Sequence, residues 1–110
     1  MRRIILPGVG DPNLPLSPGV VSGQFVFVSG QVPIDKDGKW VTGSIGEQVA
    51  CVLDNLETVL NAAGTSLSRL CSIRAYLTHL DDFPAFNQAY RARVGDHGFP
   101  ARTTLVAGLV

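Results

Sequence analysis

Phe25-Val26-Phe27-Val28-Ser29 is the stretch on which the fold turns. Successive side chains of an extended strand point to opposite faces, so Phe25 and Phe27 share one face and Val26 and Val28 the other. Both faces are apolar, the pattern of a strand covered on both sides. Gly19 to Ser22 is a second extended run, and Gly23-Gln24 between the two is a hairpin signal. Helices can cover one face of this hairpin, but two helices can hardly cover both. The second face is therefore expected to pack against another copy of the chain.

Downstream, Ser44-Ile45-Gly46-Glu47 matches a capping box, in which a serine hydroxyl accepts from a first-turn amide and the glutamate reaches back. Ile45, Val49, Val52, Leu53, Leu56, Val59 and Leu60 then recur at three and four residues, one apolar stripe of a helix that runs to about Ala63. Gly64 is a left-handed stop. Cys51, Asp54 and Asn61 fall on the far side, and Cys51 has no sequence neighbour that would activate it as a nucleophile. From Cys71 to Thr78, Ile73, Ala75 and Leu77 alternate with polar or larger residues, which predicts a strand. Asp81-Asp82 suit the positive end of a second helix, whose buried side carries Phe83, Phe86, Tyr90 and Val94. Asn87 falls in the same stripe. An amide turned inward needs hydrogen-bond partners, either a nearby loop or a ligand.

Upstream, Arg2 to Leu6 reads as an edge strand. Pro7, Pro12, Pro15 and Pro18 with Gly8 and Gly10 exclude helix and central strand, leaving a braced loop that is either a connector or a pocket rim. Trp40-Val41 is a short extended return after the charged turn Asp35 to Lys39. The order of strands, helix, strand, helix, strand implies an α+β fold with a mixed sheet and both helices on one face.

The totals agree with this and remove several classes. A length of 110 residues fits one domain. Apolar residues make up 45% and charged residues only 16%, so some apolar surface is expected to be covered by other subunits. Nine basic residues balance nine acidic ones, which argues against a nucleic-acid footprint. No run reaches membrane-spanning length and the N-terminus lacks a signal-peptide core, so the expected location is the cytoplasm. Cys51 and Cys71 are expected as free thiols. They and His79 and His97 lack ligand spacing, and no metal site is expected.

The functional question lies in His97-Gly98-Phe99-Pro100-Ala101-Arg102-Thr103-Thr104-Leu105-Val106. Gly98 and Pro100 shape the backbone just before a β-branched strand, and Arg102 stands at its mouth. That arginine either caps a strand in solvent or clamps an anion. Its planar fork of donors suits a carboxylate.

Ser29-Gly30-Gln31-Val32-Pro33, Asp54-Asn55-Leu56, Ala62-Ala63-Gly64, Asp81-Asp82-Phe83 with Asn87 and Tyr90, and Phe99-Pro100-Ala101-Arg102-Thr103 form an ordered set covering nearly the whole chain from Ser17 on. This set resembles the family called RidA, YjgF/YER057c/UK114 or L-PSP. The resemblance implies a chorismate-mutase-like α+β fold, a homotrimer, and ligand sites in clefts between subunits. It also implies hydrolysis of reactive enamines and imines, such as 2-aminoacrylate and 2-imino acids, to 2-keto acids and ammonia without any cofactor. Arg102 would hold the substrate carboxylate as the catalytic residue, with Ser29, Asn87, the backbone at Thr104, and the position of Leu16 lining the same cleft.

The chain departs from the family's pattern at three places. Leu16 stands near where many members have a tyrosine, and Thr104 where many have a cysteine. The family's water-positioning glutamate has no counterpart, since Glu47 and Glu57 both lie in the first helix. Residues 1–110 are therefore expected to be a single RidA-like domain lacking the final strand, with more sequence after Val110. Two other functions stand beside the deaminase. One is a non-catalytic trimer that binds small carboxylates or a partner protein. The other, ribonuclease action, ranks last because the sequence offers no His pair or acidic metal cluster.

Overall fold

A two-residue connection forces the strands that it joins to lie antiparallel, and the hairpin at Gly23-Gln24 follows that rule. A computed structural model describes residues 1–7, 13–96 and 98–110. Strand β1 (Arg2–Ile4) pairs antiparallel with β2 (Gly19–Ser22), which pairs antiparallel with β3 (Phe25–Val28). The turn is Gly23-Gln24, and Gly23 sits at φ 59°, the left-handed region that a tight hairpin requires. β4 (Ser72–Leu77) pairs with β5 (Ala101–Val106) in parallel, Ile73 opposite Arg102 and Ala75 opposite Thr104. Parallel neighbours need a crossover, and α2 (Phe83–Val94) supplies it.

The α+β class and the two helices are as the sequence predicts. Among the described residues the strands form two sheets, an antiparallel set of three and a parallel pair. The predicted edge strand to Leu6 is shorter and stops at Ile4. The Trp40-Val41 return is reduced to one bridge, Trp40 to Ile34. Of the proline-rich loop, residues 8–12 lie outside the described residues, as does His97.

Helix α1 (Ile45–Ala62) begins and ends as its sequence dictates. Ser44 Oγ accepts from Glu47 N at 3.2 Å. The Glu47 carboxylate in turn meets the Ser44 hydroxyl at 3.4 Å, where a full capping box would send it to the Ser44 amide. At the other end Gly64 takes φ 86°, its N–H donates to Asn61 O, and Thr65 N donates to Leu60 O. That pair of bonds is a Schellman stop, closing carbonyls the helix leaves open.

Leu53, Phe86, Tyr90 and Val94 form the buried core between the helices, with Ile73, Ala75 and Leu77 of β4 packed against it. Gly19 brings β2 close to α1: a Cβ there would stand 3.0 Å from Val59 Cγ1. Val26 and Val28 are half-buried, whereas Phe25 and Phe27 are 62% and 63% exposed. The larger residues of the two-sided strand are thus the ones that one chain leaves open. Cys51 corrects the helix wheel. It is half-buried against the Asn55 side chain, and burial together with Asp35 and Asp54 pushes its thiol pKa up.

Candidate functional site

Arg102 is the second residue of β5, and strand alternation turns it and Thr104 to the half-buried side. There it meets α2. The helix presents Phe83, Phe86, Asn87 and Tyr90 on one face because three- and four-residue steps return to the same side. Arg102 Nη2 donates to Asn87 Oδ1 at 2.8 Å. The guanidinium carbon lies 4.9 Å from the Tyr90 ring centroid, 5.2 Å from Phe86 and 5.8 Å from Phe83. A weakly hydrated planar cation gains from such faces, roughly 0.5–2 kcal/mol for a good contact. The inward amide therefore finds its partner in Arg102 rather than in a loop.

Beside this pair a cleft of about 250 Å³ opens, lined by Asn87, Tyr90, Arg91, Phe99, Pro100 and Arg102. Its wall depends on the break after α2. Gly98 reverses the chain at φ 92°, and Phe99 returns so close to Gly95 that a Cβ there would meet Phe99 Cζ at 3.1 Å. Phe99 stacks on Tyr90 with ring centroids 6.1 Å apart, and Arg91 lies 5.4 Å over the Phe99 ring. Burial pushes the Tyr90 phenol up and the Arg102 charge pulls it back, so the group is neutral at working pH. Among the described residues the Tyr90 hydroxyl has no hydrogen-bond partner. Ion pairs among those residues belong to Arg93, held by Asp54 at 2.8 Å and Glu57 at 3.0 Å. Among the described residues no carboxylate forms an ion pair with Arg91 or Arg102.

The family model described as Endoribonuclease L-PSP matches residues 10–110. The chain belongs to the RidA/YjgF/L-PSP family. The RutC family protein UK114 of Drosophila melanogaster is 40% identical over 105 residues, spanning 94% of this chain and 75% of that protein. Protein mmf2, mitochondrial, of Schizosaccharomyces pombe is 43% identical over 96 residues, 87% of this chain and 75% of its own length. The crystal structure of RidA from the Antarctic bacterium Psychrobacter sp. PAMC 21119 superposes with a TM-score of 0.88 at 26% identity, covering 99% of this chain and 89% of that one.

Of the residues that the RidA resemblance nominates, Asn87 and Arg102 come together, and Thr104 follows on the same side of β5. Ser29 and Leu16 form a separate group at the other sheet. The Ser29 hydroxyl donates to Ser17 O at 2.5 Å and its N–H to Pro18 O at 3.0 Å. Leu16, 61% exposed, lies next to that anchor. Neither lines the cleft beside Arg102, and neither does Thr104. Arg91 is the lining residue that the sequence reading treated only as part of a small basic cluster. Its position four residues after Asn87 was the available signal, since i and i+4 share a helix face.

Proposed function

We propose that the chain hydrolyses small reactive enamines and imines, 2-aminoacrylate and 2-imino acids, to 2-keto acids and ammonia. The observation that carries this reading is an arginine fixed by Asn87 and three aromatic rings at the edge of a small cleft, with no carboxylate among the described residues to neutralise it. Such a group binds a substrate carboxylate through paired N–H donors. With the carboxylate held, the adjacent C=N carbon stands in one orientation toward water, and orientation lowers the barrier. An enamine first shifts a proton from nitrogen to its terminal carbon to become the imine. Water then adds to the C=N carbon with one proton going to nitrogen. The new hydroxyl yields its proton to nitrogen as the C–N bond breaks, releasing ammonia and the keto acid. Arg102 stays protonated throughout and cannot act as the base. Its role is to hold.

Completion of the site calls for a second copy. Ser29 and Leu16 lie outside the cleft of their own chain, and Phe25 and Phe27 are open beside them in sequence. These placements support a homotrimer with ligand clefts between subunits, a neighbour bringing Ser29 and Leu16 to a ligand held at Arg102. The cytoplasm remains the compartment expected from sequence. The fission-yeast relative is named as mitochondrial, and fractionation decides between the two. No helix of the described residues is long and apolar enough to cross a membrane.

The test is release of keto acid from imines made in situ by an amino-acid oxidase. The native protein is expected to accelerate it, and Arg102→Ala to lose at least about a hundredfold in kcat/KM, the order of one lost charge-assisted pair together with lost orientation. Equal rates for the two proteins would remove Arg102 from the mechanism. A second reading, a non-catalytic trimer that binds small carboxylates, is favoured by one observation: among the described residues no Asp or Glu lines the cleft. Tight keto-acid binding without imine turnover selects it.

A further inference from the structure

Two cations face the cleft, and the deaminase reading uses only one. Arg91 lines the same cleft as Arg102, one residue beyond Tyr90 on α2. The two guanidinium groups rest on different rings. Arg102 lies over Tyr90 and Arg91 over Phe99, two rings stacked 19° from parallel with centroids 6.1 Å apart. Between the charges the wall is aromatic and Pro100. The complement of that surface is a small molecule with an anionic group at each end and hydrocarbon between.

Resting on the deaminase reading, we propose that the preferred substrates are imines of acidic amino acids. Arg102 takes the carboxylate beside the C=N carbon, and Arg91 takes the distal carboxylate. Three observations converge on this class. Arg93, the next cation on the helix, is neutralised by Asp54 and Glu57, whereas among the described residues Arg91 and Arg102 have no such partner. A cleft of about 250 Å³ is smaller than the roughly 300–1,000 Å³ of sites for drug-sized ligands, which suits an acid of four or five carbons. The two guanidiniums rest on different rings, and each planar fork can pair with one carboxylate through two parallel N–H bonds.

The probe pair is 2-oxoglutarate and 2-oxopentanoate, five-carbon keto acids that differ in the distal carboxylate. Calorimetric titration of the full chain is expected to show 2-oxoglutarate binding about tenfold more tightly, the order for one partly exposed charge-assisted pair. Arg91→Gln is expected to bring the ratio to within about twofold, and Arg91→Lys to keep most of it. Equal binding of the two acids overturns the inference. So does a ratio that Arg91→Gln leaves intact, or inorganic phosphate competing as strongly as 2-oxoglutarate. Turnover of the glutamate-derived and norvaline-derived imines separates this inference from the reading beneath it. A binding ratio without faster hydrolysis of either imine sustains the selectivity and removes the deaminase. Faster hydrolysis of the norvaline imine without any ratio does the reverse.

Discussion

Arg102 and Arg93 have the same side chain and opposite situations. Arg93 spends its donors on Asp54 and Glu57, which bind helix α2 to helix α1. A half-exposed pair of this kind is worth about 0–1 kcal/mol after solvent screening, so its part is to tie two helices at modest gain. Arg102 gives one donor to Asn87 and rests its face on rings, which leaves other donors for a ligand. The two cysteines differ in the same way. Burial raises the Cys51 thiol pKa and Asp35 and Asp54 raise it further, while Cys71 is exposed. A thiolate is the reactive form, so a raised pKa means less of it at pH 7–8. With iodoacetamide at pH 7.5, Cys71 is expected to be alkylated well before Cys51, at least about tenfold faster, as read by peptide mass spectrometry. Preferential labelling of Cys51 would contradict the packing around Asn55. At this scale the sequence exposed Arg102 and Asn87 as candidates, because one is always charged and the other lies in an apolar stripe. It did not pair them, since residues 87 and 102 meet only when the strand lies under the helix.

At the scale of elements, the ends of α1 were legible to within a residue or two. A capping serine, an apolar stripe and a stop glycine are local signals, and each acts through neighbours close in sequence. Gly64→Ala places a Cβ at φ 86° and is expected to cost about 1 kcal/mol. Ser44→Ala removes the acceptor for Glu47 N and is also expected to cost about 1 kcal/mol. Both are read as shifts of the urea midpoint without a change of slope, and a Gly64→Ala protein as stable as its parent would deny the Schellman stop. Less legible were the strand partners. A hairpin loop announces its antiparallel pair, but the parallel pairing of β4 with β5 comes from docking α2 across them, and no local signal carries it. The far-side assignment of Cys51 failed for a related reason. A helix wheel knows the angle, but it does not know that residues 32–35 fold back over that flank, where Asn55 Nδ2 donates to Val32 O at 3.1 Å and Ile34 O at 2.8 Å.

The molecule as a whole carries more apolar surface than one chain can cover. Phe25 and Phe27 lie open on one sheet, and Tyr76 and Leu105, each 50% exposed, on the other. Large exposed apolar surfaces mark interfaces, and the proposed homotrimer would bury such side chains. Replacing Phe25 and Phe27 together by aspartate is expected to shift sedimentation from trimer to monomer. It should lower imine hydrolysis with the assembly, because Ser29 and Leu16 would no longer reach a neighbour's Arg102. An unchanged sedimentation coefficient would free this face of that role. The sequence by itself determined the α+β class, both helices with their ends, the β2–β3 hairpin and the family, since periodicity, caps, turn glycines and ordered motifs all act locally or survive as strings. Tertiary structure alone decided which of these parts met. It set Arg102 on the faces of Phe83, Phe86 and Tyr90, turned Phe99 back over the end of α2, and brought a second arginine to the same cleft. Contacts between residues far apart in sequence form only once the packed core has fixed the elements that carry them, and this returns the opening strand in a different light: its valines are half-buried, while its phenylalanines are exposed.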